Sequence, residues 1–176
     1  MRLFIAINFD EDSIAEIESF QKDLMDIGIK GNLTPPENLH LTVAFIGEYG
    51  NPDDIIDIME EVPFDPFSIR IEKIELHRDM YFAIMTNHPS LQSYVRRIRR
   101  ELANAGIPFD KKAFLPHVTL VRKATFTEKH PLIECIGSDY AIPVQSVSLM
   151  RSERGKRGMI YTELGSIWAT DKKVTD

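Results

Sequence analysis

Cysteine is nearly missing from this chain: Cys135 is the only one in 176 residues, which rules out an internal disulfide and a cysteine cage for a metal. Such usage fits a reducing compartment, and a cytoplasmic setting is expected. A surplus of positive charge is missing too. The formal net charge is −6 at pH 7, which excludes coating nucleic acid through a broad basic face, so any contact with RNA has to be local. Long apolar runs are also lacking. The apolar start Leu3 to Ile7 is halted by Asp10, Glu11 and Asp12, which is too short for a secretory signal, and no stretch reaches the length of a membrane span. Apolar residues at 43% and charged residues at 27% give an ordinary globular balance with no fibrous or disordered bias. A chain of this length is expected to bury a core as one domain.

The periodicities predict a mixed chain. Residues 2–8 read as a buried strand. Ile14, Ile17, Phe20 and Leu24 then form an amphipathic stripe over residues 11–27, stopped by Gly28 and Gly31. After Pro35-Pro36, Leu39 to Ile46 reads as a strand ending at Gly47. Asn51-Pro52 opens a short helix, with asparagine as cap and proline at the first helical position. Phe67, Ile69 and Ile71 alternate with polar residues, which predicts an antiparallel strand with one wet face, paired to Tyr81–Thr86. Leu91, Tyr94, Val95, Ile98, Leu102 and Ala105 trace a second long helix ending near Gly106. Phe114 to Val121 is the next strand. A loop containing Pro131 and Gly137 follows, and Val144–Met150 with Met159–Leu164 closes the chain as a hairpin.

Two of these strands carry the same short motif. His40-Leu41-Thr42 and His117-Val118-Thr119 lie 77 residues apart, each after a proline-containing loop that follows a long amphipathic helix. The economical account is an internal duplication giving one bilobal domain over 1–176 with a site between the lobes. On a strand, residues i and i+2 share a face, so each motif projects an imidazole and a hydroxyl together while Leu41, Val43, Val118 and Leu120 point the other way. A buried imidazole and hydroxyl both need hydrogen-bond partners, so packing alone is a poor reason for such a pair to occur twice. His77, His88 and His130 lack this context and read as surface or loop residues.

Two histidines suit a reaction in which one group removes a proton from an attacking oxygen while another protonates a departing one, since an imidazole titrates near neutral pH. Threonine hydroxyls can donate to oxygens where negative charge gathers. That combination points to phosphoryl transfer, and no clustered carboxylates argue for a metal. The sequence leaves open which histidine is acid and which is base. Two basic groupings remain. Arg96, Arg97, Arg99 and Arg100 read as a solvated helix face. Arg151, Arg154, Lys156 and Arg157 read as a hairpin tip able to deliver cations to a phosphate.

The segments Asn38-Leu39-His40-Leu41-Thr42-Val43-Ala44-Phe45-Ile46-Gly47-Glu48 and Phe114-Leu115-Pro116-His117-Val118-Thr119-Leu120-Val121-Arg122 together resemble the 2H phosphoesterase superfamily. The start Arg2-Leu3-Phe4-Ile5-Ala6-Ile7 is similar to its RNA 2′,3′-cyclic phosphodiesterases, also called 2′-5′ RNA ligases. The likeness runs from the first strand to Tyr161-Thr162-Glu163-Leu164. It implies an α+β bilobal fold, with two antiparallel sheets flanking a central groove and helices outside. It also implies hydrolysis of a 2′,3′-cyclic phosphate at an RNA end to a 2′-phosphate with no cofactor, and the joining of tRNA halves as a reversible side of the same chemistry. His40, Thr42, His117 and Thr119 carry over as the catalytic set, with His117 activating water and His40 protonating the 3′-oxygen. Arg122 matches the basic residue after the second motif, although five residues from His117 it need not share a face with it. On the hairpin tip, Arg154 and Arg157 are expected as further substrate contacts. Tyr81-Phe82-Ala83-Ile84 stands where the family often carries tryptophan, which leaves the platform for a base unassigned.

Competing readings are a ligase whose physiological direction is joining, a cyclic phosphodiesterase for a small nucleotide, a nucleotide or RNA end-binding module, and a metal hydrolase. The last lacks a third ligand at strand or helix spacing. A monomer with no obligate protein partner and no membrane contact is expected.

Overall fold

The computed structural model describes residues 1–125 and 137–171. His130, Pro131 and Cys135 lie outside them. Fourteen elements follow in order: β1 (Arg2–Asn8), α1 (Glu11–Asp26), β2 (Lys30–Leu33), a 3-10 turn (Pro36–Asn38), β3 (His40–Glu48), α2 (Pro52–Glu60), β4 (Phe67–Ile69), β5 (Ile71–His77), β6 (Met80–Met85), α3 (Pro89–Asn104), β7 (His117–Thr125), β8 (Ile142–Val144), β9 (Ser146–Gly155) and β10 (Gly158–Trp168). No helix among the described residues is long and apolar enough to cross a membrane.

Two four-stranded antiparallel sheets carry the fold. The first runs β10-β9-β1-β3 and the second β2-β7-β6-β5, with β4 and β8 forming a separate pair. The strands β3 and β7 lie beside one another, so the two histidine-bearing strands are the seam between the sheets. Both faces of β1 are covered: Leu3, Ile5 and Ile7 enter the main core, and Phe4 and Ala6 join Met150 in a smaller cluster on the other side. Burial on both faces explains why residues 2–8 read as a continuous apolar run rather than an alternation.

The helices lie outside the sheets, as expected for this fold. Each begins at a side-chain cap. Asp10 accepts from the Ser13 amide, Asn51 from the Asp53 amide with Pro52 following, and His88 Nδ1 from the Ser90 amide with Pro89 following. His88 is therefore a helix cap, a role its apolar-poor surroundings in the sequence did not signal. α1 packs on β7, and α3 on α2 and β3.

Three expectations change, and one strand is new. The alternating segment 67–71 is split at Arg70 between two sheets, held there by reciprocal bonds with Thr86. The strand expected from Phe114 begins at His117, because Pro116 has no amide to give a ladder and only its carbonyl is used, by the Met85 amide. Val144 and Ser146 belong to different strands, β8 and β9. The short polar strand β2, exposed throughout, was not expected. At its Gly31 a Cβ would stand 2.8 Å from the Arg122 carbonyl oxygen, so β2 lies against β7 only because that side chain is missing.

Candidate active site

The site is built by two β-bulges at matching places. Between β1 and β3, Ile5 pairs with Ala44 and Ala6 with Thr42, so Val43 is an extra residue. Between β6 and β7, Tyr81 pairs with Val121 and Phe82 with Thr119, so Leu120 is extra. A bulge shifts the alternation by one. It lets Val43 with Ala44, and Leu120 with Val121, both bury on the core side, and returns the next residue to the face that carries His-x-Thr. Phe45 therefore shares a face with His40 and Thr42, and Arg122 shares one with His117 and Thr119. Simple two-residue parity would have turned Arg122 away; the bulge turns it back. Lys123 beyond it sits in the left-handed region at φ 51°, which completes the re-aiming.

These faces line one groove of about 1760 Å³. His40, Thr42, His117, Thr119, Arg122, Arg154 and Arg157 all border it. The lining contains six cations, Arg2, Arg122, Arg151, Arg154, Lys156 and Arg157, against three acids, Glu37, Glu48 and Glu153. A chain that is acidic overall thus presents a groove of the opposite sign, which focuses attraction on an anionic ligand. Arg151 is held by Glu153 at 2.5 Å, and the Met1 amine by Glu48 at 3.2 Å. The α3 arginines lie elsewhere: Arg97 donates to the Pro63 carbonyl and Arg99 to that of Lys112, and neither borders the groove.

Each imidazole is fixed in the same way. His40 Nδ1 stands 2.7 Å from the Asn38 carbonyl oxygen and His117 Nδ1 2.7 Å from that of Leu115. A carbonyl can only accept, so both Nδ1 atoms carry hydrogen and Nε2 is the nitrogen left to exchange a proton. Thr42 Oγ1 lies 3.1 Å from His40 Nε2 and donates to it when the ring is neutral. Burial pushes both rings below the ordinary histidine range, partly offset by the two carbonyls. Arg122 and His117 push His40 further down, and His77 and Arg122 do so for His117. The depression of His40 by His117 means that charge on one ring is felt at the other across the groove.

The surroundings of the rings were largely invisible in the sequence. His40 sits among aromatic rings, 5.0 Å from Phe4 and 5.1 Å edge-on from Tyr161. His117 is stacked on Phe82 at 4.2 Å, and the far face of Phe82 is stacked on His77 at 4.8 Å. Arg2 lies over the Phe45 ring at 5.1 Å. His77, read from the sequence as a surface or loop residue, is half-buried and in ring contact with Phe82. Its position two residues after Glu75 is a signal only once the β5–β6 register is known. Among the described residues no three His, Cys, Asp or Glu side chains come together in a way that could hold a metal ion.

Known proteins share this architecture. A family model described as LigT like Phosphoesterase matches residues 8–80 and 84–161. An RNA 2′,3′-cyclic phosphodiesterase of Thermotoga maritima is 29% identical over 176 residues, covering 93% of this chain and 93% of its own length. One of Methanocaldococcus jannaschii is 29% identical over 171 residues, covering 92% and 96%. Among solved structures, a protein of Thermus thermophilus superposes with a TM-score of 0.80 at 25% identity, covering 98% of this chain and 100% of its own. E. coli LigT complexed with 3′-AMP superposes with a TM-score of 0.81 at 21% identity, covering 97% and 98%.

Proposed function

This chain belongs to the LigT-like phosphoesterase family, and from that premise we propose that it is a phosphodiesterase that hydrolyses 2′,3′-cyclic phosphates at RNA ends to 2′-phosphates, without a metal. The observation that carries the proposal is the paired construction: two imidazoles border one groove, each with Nδ1 bound to the carbonyl two residues back and Nε2 left for proton exchange. The relatives named as RNA 2′,3′-cyclic phosphodiesterases span nearly the same length, which supports the substrate class.

In the proposed reaction His117 Nε2 takes a proton from water as its oxygen attacks phosphorus. The P–O3′ bond breaks, and protonated His40 Nε2 gives its proton to the departing 3′-oxygen. The products are a 2′-phosphate and a 3′-hydroxyl. General acid–base assistance of this kind contributes about 10²–10⁴-fold for each group. The Thr42 and Thr119 hydroxyls and the Arg122 guanidinium serve the non-bridging oxygens, where negative charge gathers. In the free groove the Thr42 hydroxyl occupies His40 Nε2, and a phosphate entering between them would take that hydrogen bond over. Arg154 and Arg157 on the β9–β10 hairpin would meet phosphates further along an RNA. A 5′-hydroxyl taking the place of water in the same step would join the cyclic phosphate end to it through a 2′-5′ linkage and free the 3′-hydroxyl, as with tRNA halves, only when the ends are held together against about 55 M water.

The test is mass spectrometry of the products from a panel of 2′,3′-cyclic phosphates, mononucleotide and oligonucleotide, with and without EDTA. A single 2′-phosphate product and an unchanged rate in EDTA are expected. A 3′-phosphate product, or loss of turnover in EDTA, would overturn the proposal.

A further inference from the structure

Three rings lie in a row behind the groove wall. Phe82 stacks on His117 with centroids 4.2 Å apart and planes at 26°, and on His77 with centroids 4.8 Å apart and planes at 20°. The order follows from register: Phe82 pairs with Thr119 on one side and with Glu75 on the other, so its ring spans the gap between β7, which carries His117, and β5, which carries His77. Both faces of Phe82 are occupied, and it is 8% exposed. It cannot be the platform on which an unpaired base stacks, which is the usual use of an exposed aromatic ring in this kind of groove. His77 ends β5 just before the tight turn at Arg78, whose φ of 56° fixes where the ring goes. Its Nε2 is buried without a hydrogen bond and lies 3.4 Å from Glu75 Oε2.

We propose that Glu75, His77 and Phe82 form a positioning stack that holds the His117 ring from behind and transmits the charge of His77 to it. The inference rests on the proposed role of His117 in taking a proton from the attacking water. Two constraints then act on one ring. The Leu115 carbonyl holds Nδ1 at one edge, and the Phe82 face restricts rotation about the remaining torsion, so that Nε2 stays turned to the groove. The His77 charge supplies the second effect. A cation over one face of an aromatic ring is attracted to it, but cations on both faces repel each other. Each histidine centroid is within 5 Å of the Phe82 centroid, which puts the two charges within about one Debye length at 0.1 M salt, roughly 10 Å. Protonated His77 therefore disfavours a proton on His117, the direction the electrostatics of this pair also give.

Among the described residues, the charged groups on the strands beside His77 are these. On β5 they are Glu75, whose Oε2 lies 3.4 Å from His77 Nε2, and Lys73, which stands 3.9 Å from Glu75. On β7 they are His117, stacked on the other side of Phe82, and Arg122, which acts on His117. β6 brings Phe82 and Met80 to this side. Glu75 is thus the carboxylate in contact with His77 at the far end of the stack.

The experiment uses the full chain with His77→Phe, which keeps a ring and removes the charge, and His77→Ala, which removes both. Two readouts are taken: the NMR titration of the His117 imidazole C–H, and the pH profile of kcat and KM on a 2′,3′-cyclic nucleotide. His77→Phe should move the His117 titration to higher pH and carry the acid limb of kcat/KM with it. His77→Ala should in addition lower plateau kcat by about tenfold with little change in KM, through loss of ring position, and His77→Phe should recover most of that loss. A His117 titration unmoved in both variants would overturn the proposal. So would equal plateau losses in the two, which would make His77 merely structural. If His117→Ala kept full turnover while His77→Phe still moved the His117 titration, the stack would stand and the catalytic assignment of His117 would fall.

Discussion

On β3 the chain runs His40, Thr42, an extra residue at Val43, then Phe45 on the groove face; on β7 it runs His117, Thr119, an extra residue at Leu120, then Arg122 on the groove face. The imidazole, the hydroxyl, the carbonyl that holds Nδ1 and the offset of the bulge all agree between the two strands. Such agreement is what duplication of one lobe would leave. What differs is the residue returned by the bulge and the company it keeps. The β3 side is aromatic, with Phe4, Tyr161 and Phe45 around His40. The β7 side is cationic at that position, and its ring is supported by a stack instead of being enclosed. Two like proton handlers set in unlike surroundings can take unlike protonation states, which acid–base chemistry at one phosphorus requires. The arrangement points to a division of labour between the two residues the bulges return: Arg122 serves the phosphate and Phe45 the nucleoside.

The strongest way to break this comparison is to remove the shared part. His40→Ala and His117→Ala should each lower kcat on a 2′,3′-cyclic nucleotide in EDTA by on the order of 10³-fold. The double variant should lose little more, because groups acting as one unit are not additive. Full activity in either single variant would show that the two strands are alike in form only. Removing the unshared part comes next. Arg122→Ala should lower kcat/KM by about 10²-fold, the scale of losing one charge-stabilising donor. It should also move the acid limb of the profile to higher pH, because the guanidinium depresses both imidazoles. Phe45→Ala should act mainly on KM, by less than about tenfold, as expected for a contact that binds without entering the chemistry. Equal kcat effects at Arg122 and Phe45 would erase the proposed division.

How much of this could be read from residues alone follows from the same two strands. The motifs were legible because alternation places His and Thr together against buried leucine and valine, and the helices because their apolar stripes and Asn-Pro or Asp caps are local. The bulges were not, since an unbroken period of two has no place for an extra residue. A trace of them was present: the paired apolar residues Val43-Ala44 and Leu120-Val121 interrupt the alternation straight after each threonine. The sharing of a face by Arg122 and His117 depends on that interruption. β2 could not be read because Lys30-Gly31-Asn32-Leu33 is short and polar, and its place is set by the partner strand. The same is true of His77, which has meaning only through the register of β5, β6 and β7. Local rules recovered what each strand presents; which strands lie side by side was a long-range fact.

Smaller effects should distinguish the two threonines. Thr42→Val and Thr119→Val each remove a neutral donor, worth about 0.5–1.5 kcal/mol net, which at about 1.4 kcal/mol per tenfold gives a loss of up to roughly tenfold in kcat. Thr42 also bonds His40 Nε2 in the free groove, so Thr42→Val should change the titration of His40 as well, measured by NMR on the ligand-free protein. Thr119→Val should leave it unmoved. Identical titration changes in the two variants would mean that the hydroxyls are interchangeable.

The smallest expected effect is on stability, and it carries the comparison into the ligand-free protein. Both imidazoles are held below the ordinary histidine value, first by burial. The unfolded chain then binds more protons than the folded one wherever the pH lies between the folded values and about 6.5, the unfolded reference. Stability is therefore complete above that reference, declines as pH falls through the window, and levels off below the folded values. Other groups titrate in the same range, so the useful quantity is a difference. The slope of unfolding free energy against pH, taken from denaturant titrations, should be shallower in His40→Gln/His117→Gln than in the unmodified chain between pH 7 and 5. Sulfate keeps its charge across that window, and an anion between the rings favours their protonated forms. It should stabilise the unmodified chain more at pH 5.5 than at pH 7.5, and the double variant equally at both. If His40→Gln and His117→Gln each remove half of the effect, the two strands contribute alike to the electrostatics of the groove. A dominant share for His40, the ring enclosed by aromatics and opposed by both Arg122 and His117, would place the asymmetry in the free protein, before any substrate arrives.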